Sequence, residues 1–254
     1  MAKIDVRIDA GVEGDVAWVT IANQAKANCL SSELIAELEI TFCDLAKQPE
    51  LRLAVLTGAG DRSFIAGANL VELEGFDEHS ARTYITALQR AIQAIRDLPV
   101  PIVARVNGAC IGAGLEVAIG CDIRISSSNA VFGMPEVAFD LPSVIEAALL
   151  PRMIGWGRTA WLLYRGDVID AETALEWGLV ESVVPLEGLD AAVAETVKTI
   201  CDNGPTGISV QKALMRQWER RWIDDGVRAG IGSFAQAYRD GDPGTRVSAF
   251  RNKQ

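Results

Sequence analysis

Histidine is almost missing from this chain. Among 254 residues there is one, His79, set in the polar stretch Phe76-Asp77-Glu78-His79-Ser80 at what reads as a helix start. Serine–histidine–aspartate, cysteine–histidine and multi-histidine metal chemistry all need an imidazole in the site, so acid–base work falls to carboxylates and no metal site is expected. Cysteines are few and scattered. Cys29, Cys43, Cys110, Cys121 and Cys201 are odd in number and form no CxxC pair or zinc-ligand spacing, which predicts small buried hydrophobes in a reducing compartment. Positive charge is also short, 24 Lys plus Arg against 34 Asp plus Glu for a net −10, with no basic cluster. That excludes general attraction to nucleic acid or anionic membrane, and any phosphate on a ligand has to be met locally. Neither a secretory signal nor an apolar run of membrane-spanning length is present, so a soluble cytoplasmic protein is expected.

What the chain does have is apolar content, 49%, enough for one sizeable core. Ile4–Ile8 and Val16–Ile21 alternate and are rich in β-branched residues, with Gly11, Gly14 and acidic residues between them, which predicts an opening hairpin. Leu34, Ile35, Leu38, Phe42 and Leu45 recur at helical spacing behind Ser31-Ser32, predicting a helix over residues 31–48. Leu53–Thr57 reads as a buried strand. Tyr84, Ile85, Leu88, Ile92 and Ile95 mark a second helix, stopped by Leu98-Pro99-Val100-Pro101. Strands follow at 102–106, 121–126 and 179–184, the last after a helical 171–177. Interleaving of this kind argues for an α/β fold. Beyond Pro185 the pattern is helical only: 190–201, then 207–221, then about 223–238. The expected division is therefore a mixed core over 1–190 and a helical region over 191–254, whose remaining apolar faces would cover a neighbouring subunit.

Chemistry concentrates in two places. Asn107-Gly108-Ala109-Cys110-Ile111-Gly112-Ala113-Gly114 runs straight into Leu115-Glu116-Val117, which sets a carboxylate among apolar residues at a helix start. Glycines let the backbone approach a ligand closely, and the first amides of a helix have no partner inside it, so they favour a developing negative oxygen. Twenty residues on, Phe132-Gly133-Met134-Pro135-Glu136-Val137 supplies a second glutamate between apolar neighbours. Two nucleotide-binding readings are weak. Gly58-Ala59-Gly60 follows a strand but has Ser63 at the third glycine position, and Gly112-Ala113-Gly114 lacks P-loop spacing and its terminal Lys-Ser/Thr.

With these motifs in order, the chain resembles the crotonase family, the enoyl-CoA hydratase/isomerase superfamily, over nearly its whole length. Lys26-Ala27-Asn28-Cys29-Leu30 is similar to the family's early substrate-contacting loop, and Ser63-Phe64-Ile65-Ala66-Gly67-Ala68-Asn69-Leu70 to its first oxyanion segment. Residues 107–125 resemble the second such segment, 132–137 the loop bearing the second glutamate, and 177–185 the turn and strand that close the core. The resemblance implies a spiral of ββα units, trimers or pairs of trimers, and an acyl-CoA thioester as substrate, with no cofactor beyond the coenzyme A that the substrate carries. It further implies that the N–H groups of Ala68 and Ala113 polarise the thioester carbonyl. Glu116 would hold and deprotonate a water, and Glu136 would exchange the C2 proton. Lys26, Ala27, Ala66, Asn69, Leu70 and Gly112 would border the substrate.

Two departures bear on this expectation. Asn69 stands where the family often has aspartate, and residues 137–146 replace a glycine-rich Pro-Gly-Ala-Gly-Gly-Thr segment with a loop one residue shorter. Pro142, Ser143 and Val144 would line the acyl pocket. Glu146 is open to two readings, a pocket group or a helix carboxylate facing solvent, and the second is preferred. The leading function is hydration of a 2-enoyl-CoA. Double-bond isomerisation or thioester hydrolysis within the family, and a CoA-ester-binding scaffold without turnover, are the alternatives.

Overall fold

In a computed structural model, residues 2–11, 14–240 and 243–252 are described. Glu13, one of the acidic residues expected in the first turn, lies outside them, as do Met1 and Gln254 at the ends of the expected 1–190 and 191–254 divisions.

The chain opens with β1 (Lys3–Asp9) and β2 (Asp15–Ala22), paired antiparallel as the alternation predicts. Then come α1 (Ser32–Leu45), β3 (Leu51–Gly58), β4 (Ser63–Ile65), α2 (Leu70–Leu73), α3 (Glu78–Asp97), β5 (Ile102–Val106), β6 (Ala109–Ile111), α4 (Ala113–Gly120), β7 (Ile123–Ser127) and β8 (Val131–Gly133). After two 3-10 turns, Pro135–Phe139 and Ile145–Leu149, follow α5 (Leu150–Met153), α6 (Trp156–Arg165), β9 (Val168–Asp170), α7 (Ala171–Trp177), β10 (Ser182–Val184), α8 (Leu189–Cys201), α9 (Pro205–Asp240) and α10 (Pro243–Arg251). The fold is mixed α/β.

Two sheets carry it. The larger has the order β1-β2-β3-β5-β7-β10, parallel from β2 onward, and the smaller has the order β4-β6-β8-β9. Each three-residue strand of the smaller sheet leaves the end of a longer strand or leads into a helix, so the small sheet stands over the carboxyl ends of the large one.

The helices bury the faces that their spacing marks. In α1, Leu34, Ile35, Leu38, Phe42 and Leu45 are all buried, and the Ser31 hydroxyl caps the helix by accepting from the Leu34 amide at 3.2 Å. In α3, Asp77 and Ser80 form a reciprocal capping box, and Tyr84, Ile85, Leu88, Ile92 and Ile95 enter the core. Burying each such side chain contributes about 1.5–3 kcal/mol before the cost of ordering the chain. On the far face of the large sheet, Leu189 and Val193 of α8 pack on Leu53, Val55, Val103 and Ile125.

Several sequence expectations are corrected. Residues 205–240 form one helix, not two with a break near Arg221, because nothing between Glu219 and Asp225 removes a backbone donor. The strand expected at 179–184 spans only Ser182–Val184, because Gly178 ends α7 in the left-handed conformation and turns the Leu179 amide back to Ala174. Cys121 closes α4 instead of starting a strand. Of the cysteines, Cys110 and Cys121 are buried, Cys29 and Cys201 are half-buried, and Cys43 is exposed. His79 is exposed in the first turn of α3.

Candidate active site

A cavity of about 790 Å³ opens where the small sheet meets α3 and α4. Its polar mouth includes Gln24, Lys26 and Arg62, and its apolar depth includes Leu73, Ile85, Leu88, Leu141 and Phe234. Tyr84 borders the same depth and its hydroxyl is tied to the Leu30 carbonyl at 3.0 Å.

Three stretches of backbone shape the wall. The loop 26–30 is stitched alongside 66–69: the amides of Ala66, Leu30 and Asn69 donate to Ala27, Gly67 and Leu30 at 3.1, 2.9 and 2.8 Å. Leu30 and Ala68 thus form a parallel bridge in which the neighbours of Ala68 make both bonds. The Ala68 N–H therefore faces away from Leu30, on the cavity side, and has no hydrogen-bond partner among the described residues. The Ala113 N–H is in the same condition for another reason. Ala113 is the first residue of α4, where no preceding turn offers a carbonyl, and it too borders the cavity.

Gly112 makes this start possible. Its φ is +54°, and a Cβ there would lie 2.6 Å from Oε1 of Glu136. Gly114 is needed two residues further in, because a Cβ would fall 2.0 Å from the Ile65 carbonyl oxygen and force α4 away from β4.

The two glutamates reach the cavity from different elements. Glu116 lies in the first turn of α4, its amide donating to Gly112 at 3.0 Å, and its side chain is buried with Oε1 lacking a partner among the described residues. Burial pushes its pKa well above the ordinary carboxylate range, the charges of Glu136 and Glu146 push it further, and the amides of Ala147 and Val144 oppose them. Glu136 comes from the 3-10 turn after β8. Burial raises it to about 7, against its own amide and a 2.9 Å hydrogen bond that the Ser143 hydroxyl donates to Oε2. Each carboxylate thus holds a proton far more readily than a solvated one.

Of the residues expected in the site, Lys26, Ala27, Ala66, Ala68, Leu70, Gly112, Ala113, Glu116, Glu136, Pro142, Ser143 and Val144 all border the cavity. Asn69 does not. Its Oδ1 caps α2 by accepting from the Val71 amide at 3.2 Å, while Nδ2 donates to Glu72 at 2.8 Å, and Glu72 in turn accepts from the Ser32 amide and hydroxyl. An aspartate could do the first job but would repel Glu72 in the second. Glu146 is corrected too. It is 2% exposed, not solvent-facing, with Oε1 4.0 Å from Arg96 Nε.

Sequence reasoning missed the supports. Asn28 Nδ2 donates to the carbonyls of Ala59 and Ser63 at 3.0 and 2.8 Å, and Asn107 Nδ2 to those of Gly58, Gly60 and Ser63 at 3.0, 2.5 and 3.1 Å. Both are fully buried and hold the 58–63 turn that leads into the Ala68 segment. The available signal was the place of Asn107 at the head of a glycine-rich run and of Asn28 inside the 26–30 loop.

Residues 11–238 match the family described as enoyl-CoA hydratase/isomerase. The chain belongs to that family. It is 31% identical over 243 residues to the short-chain-enoyl-CoA hydratase of Clostridium acetobutylicum, covering 95% of this chain and 93% of that one, and 32% identical over 238 residues to the crotonyl-CoA hydratase of Syntrophomonas wolfei, covering 93% and 92%. A solved enoyl-CoA hydratase from Bacillus anthracis superposes with a TM-score of 0.79 at 30% identity over 98% of this chain and 96% of its own. An enoyl-CoA hydratase/isomerase from Mycobacterium paratuberculosis, at 24% identity, shares the fold with a TM-score of 0.88 over 97% and 98%. In this member of the enoyl-CoA hydratase/isomerase family, two outward-facing amides and two protonatable carboxylates therefore meet one apolar cavity.

Proposed function

We propose that the protein is an enzyme, a hydro-lyase that adds water reversibly across the C2–C3 double bond of a 2-enoyl-CoA thioester. The observation that carries the reading is that Glu116, Glu136 and the free N–H groups of Ala68 and Ala113 border a single cavity. The amides act as the oxyanion hole. As the thioester oxygen gains charge, each donor is worth about 2.7–4 kcal/mol of transition-state stabilisation. Electrons drawn toward that oxygen leave C3 open to water. Glu116 takes a proton from the water as its oxygen bonds to C3, and C2 takes a proton from Glu136. One proton enters the pair and one leaves it, so a single protonated carboxylate at the start suffices.

The mouth suits coenzyme A. Lys26 and Arg62 supply local cations in a chain of net charge −10, and the apolar depth suits an acyl chain bounded by Pro142, Ser143 and Val144. No cofactor or metal is required for this chemistry. We read the two sheets as turns of a ββα spiral, with 191–254 as a helical oligomerisation region of a trimer or dimer of trimers. Among the described residues no helix is long and apolar enough to cross a membrane; we read the setting as cytoplasmic, which the scattered cysteines suit, and the role, from the 2-enoyl-CoA substrate, as fatty-acid metabolism.

The test is a chromatographic product assay with crotonyl-CoA and a panel of longer 2-enoyl-CoA esters. The 3-hydroxyacyl-CoA is the expected product, lost at least 100-fold in both Glu116→Gln and Glu136→Gln. A shifted double bond or free coenzyme A as sole product would instead establish isomerase or hydrolase activity. Absence of turnover across the panel would leave the scaffold reading.

A further inference from the structure

Glu146 is a buried acid that the reaction as derived does not use. It sits on the 3-10 turn Ile145–Leu149, directly after Ile145, a β-branched residue held at φ +38° that turns the chain inward. Its carboxylate does not border the cavity, so it does not touch substrate. Oε1 is 4.0 Å from Arg96 Nε, and Oε2 is buried with no partner among the described residues. Arg96 itself is shared, because its Nη2 binds Glu219 Oε2 at 3.0 Å. The charge on Glu146 is therefore only partly neutralised. The groups facing it are Glu116 from α4, Arg96 from α3 and Arg216 from α9; Glu219 of α9 binds both arginines, Arg152 of α5 reaches the Glu219 carbonyl, and Glu116 in turn also faces Glu136.

We propose that Glu146, held by Arg96 behind Glu116 on the turn whose Val144 and Ala147 amides reach the Glu116 carboxylate, is a positioning residue whose negative charge strengthens Glu116 as the base that takes the proton from water. The proposal rests on the hydration reading. Two buried carboxylates without full partners cannot both ionise freely, so charge on the rear one makes the front one bind its proton more tightly. A base whose affinity for protons is raised toward the working pH is the more effective one. The electrostatics agree in direction: burial raises Glu146 to about 7 against the pull of Arg96 and Arg216, and Glu146 in turn raises Glu116.

Glu146→Gln keeps the shape and removes the charge. The acid limb of kcat against pH is expected to move down by about one pH unit and kcat to fall several-fold, with KM for crotonyl-CoA unchanged. Glu146→Asp, which retains the charge, is expected to restore the limb. A readout free of turnover is ¹³C NMR of glutamate carboxyl carbons, with the Glu116 resonance assigned by Glu116→Gln. Its midpoint is expected to fall in folded Glu146→Gln, and an unchanged midpoint and limb would overturn the proposal. Should Glu146→Gln not fold, Glu136→Gln decides, because it removes the other carboxylate coupled to Glu116: a two-step titration of Glu116 there supports the coupling to Glu146, and a single step overturns it. A wild-type protein that hydrates no enoyl-CoA removes the hydration reading, while the carbon titration still reports separately on the charge coupling.

Discussion

The Ser143 hydroxyl donates a 2.9 Å hydrogen bond to Oε2 of Glu136, across a loop that folds back on itself after Asp140 adopts the left-handed conformation. This bond joins the second carboxylate to the segment in which the chain departs from the glycine-rich pattern of its family. After the amide of Glu136 itself, it also stabilises the ionised form of that group, and the two together hold the rise caused by burial to about 7.

Ser143→Ala removes the donor and leaves Glu136 more strongly protonated. The limb of the pH–kcat/KM profile that reports Glu136 is expected to move to higher pH by about half a unit to one unit, with kcat reduced about tenfold as the carboxylate loses its fixed orientation. A profile that superposes on the wild type would show that Ser143 serves only as lining.

Stability should fall as pH rises through the neutral range. Glu136 and Glu146 titrate at about 7 in the fold against an ordinary 4.5. Below 4.5 both states are protonated and nothing is lost. Between 4.5 and about 7 the unfolded chain releases protons that the fold retains, so each increment of pH disfavours folding, and above about 7 the loss is complete. The loss is at most about 3 kcal/mol per group and smaller where solvent reaches the pocket. Glu136→Gln is therefore expected to raise Tm by a few degrees at pH 8 and not at pH 4.5, by calorimetry. An equal effect at both values would refute this origin.

Gly112→Ala is expected to abolish activity while leaving most of the fold intact. A methyl group 2.6 Å from Glu136 Oε1, at a φ of +54°, has to displace either the carboxylate or the start of α4. Both outcomes spoil the site, one through Glu136 and the other through the Ala113 amide. A loss of at least 100-fold in kcat/KM with a near-native circular dichroism spectrum is the expected result; activity within tenfold of wild type would contradict the geometry.

How much of this was legible beforehand follows from length and periodicity. The buried faces of α1 and α3 were readable because five or more apolar residues recur at 3.6 spacing. The four strands of the small sheet were not, because three residues are too few to show alternation. Glu116 and Glu136 could be placed by their motifs. The inward turn of Glu146 depends on the backbone of Ile145 at φ +38°, a conformation that no propensity of isoleucine foretells. The Ser143–Glu136 pairing spans seven residues of irregular loop, where no helical or strand spacing applies. Asn69 carried a motif position but spends both ends of its side chain on α2 and Glu72.

Asn107 should matter to stability and catalysis together. It is fully buried, and its Nδ2 serves three carbonyls of the 58–63 turn. Asn107→Ala withdraws the donor from all three, and although the Ser63 carbonyl keeps its bond from Asn28, each carbonyl left unpaired costs about 1–3 kcal/mol before relaxation. Asn107→Asp repels them outright, because a carboxylate has no N–H to donate. The aspartate variant is expected to be the less stable in urea titration, although it is the closer in shape. The reverse order would mean that the turn is held by packing alone.

Lys212 ties α9 to the large sheet. Its ammonium is buried and donates to the Val100 carbonyl at 2.7 Å and to Asp122 Oδ2 at 2.8 Å, and the same oxygen accepts from the Ile102 amide at 2.8 Å. Burial lowers its pKa against the pull of Asp122, so the pair is held by partners more than by solvent. Lys212→Met preserves the packing of the stem but leaves Asp122 without its cation, at a cost of about 3–5 kcal/mol for a fully buried pair and less here, where Asp122 is partly exposed. Because α9 also delivers Phe234 to the cavity, loosening it should be felt at the acyl end. Faster hydrogen exchange along α9, a lower Tm, and a KM that rises more for long enoyl-CoA esters than for crotonyl-CoA are expected together. A lower Tm with no change in the chain-length dependence of KM would separate the anchoring of α9 from the shape of the pocket.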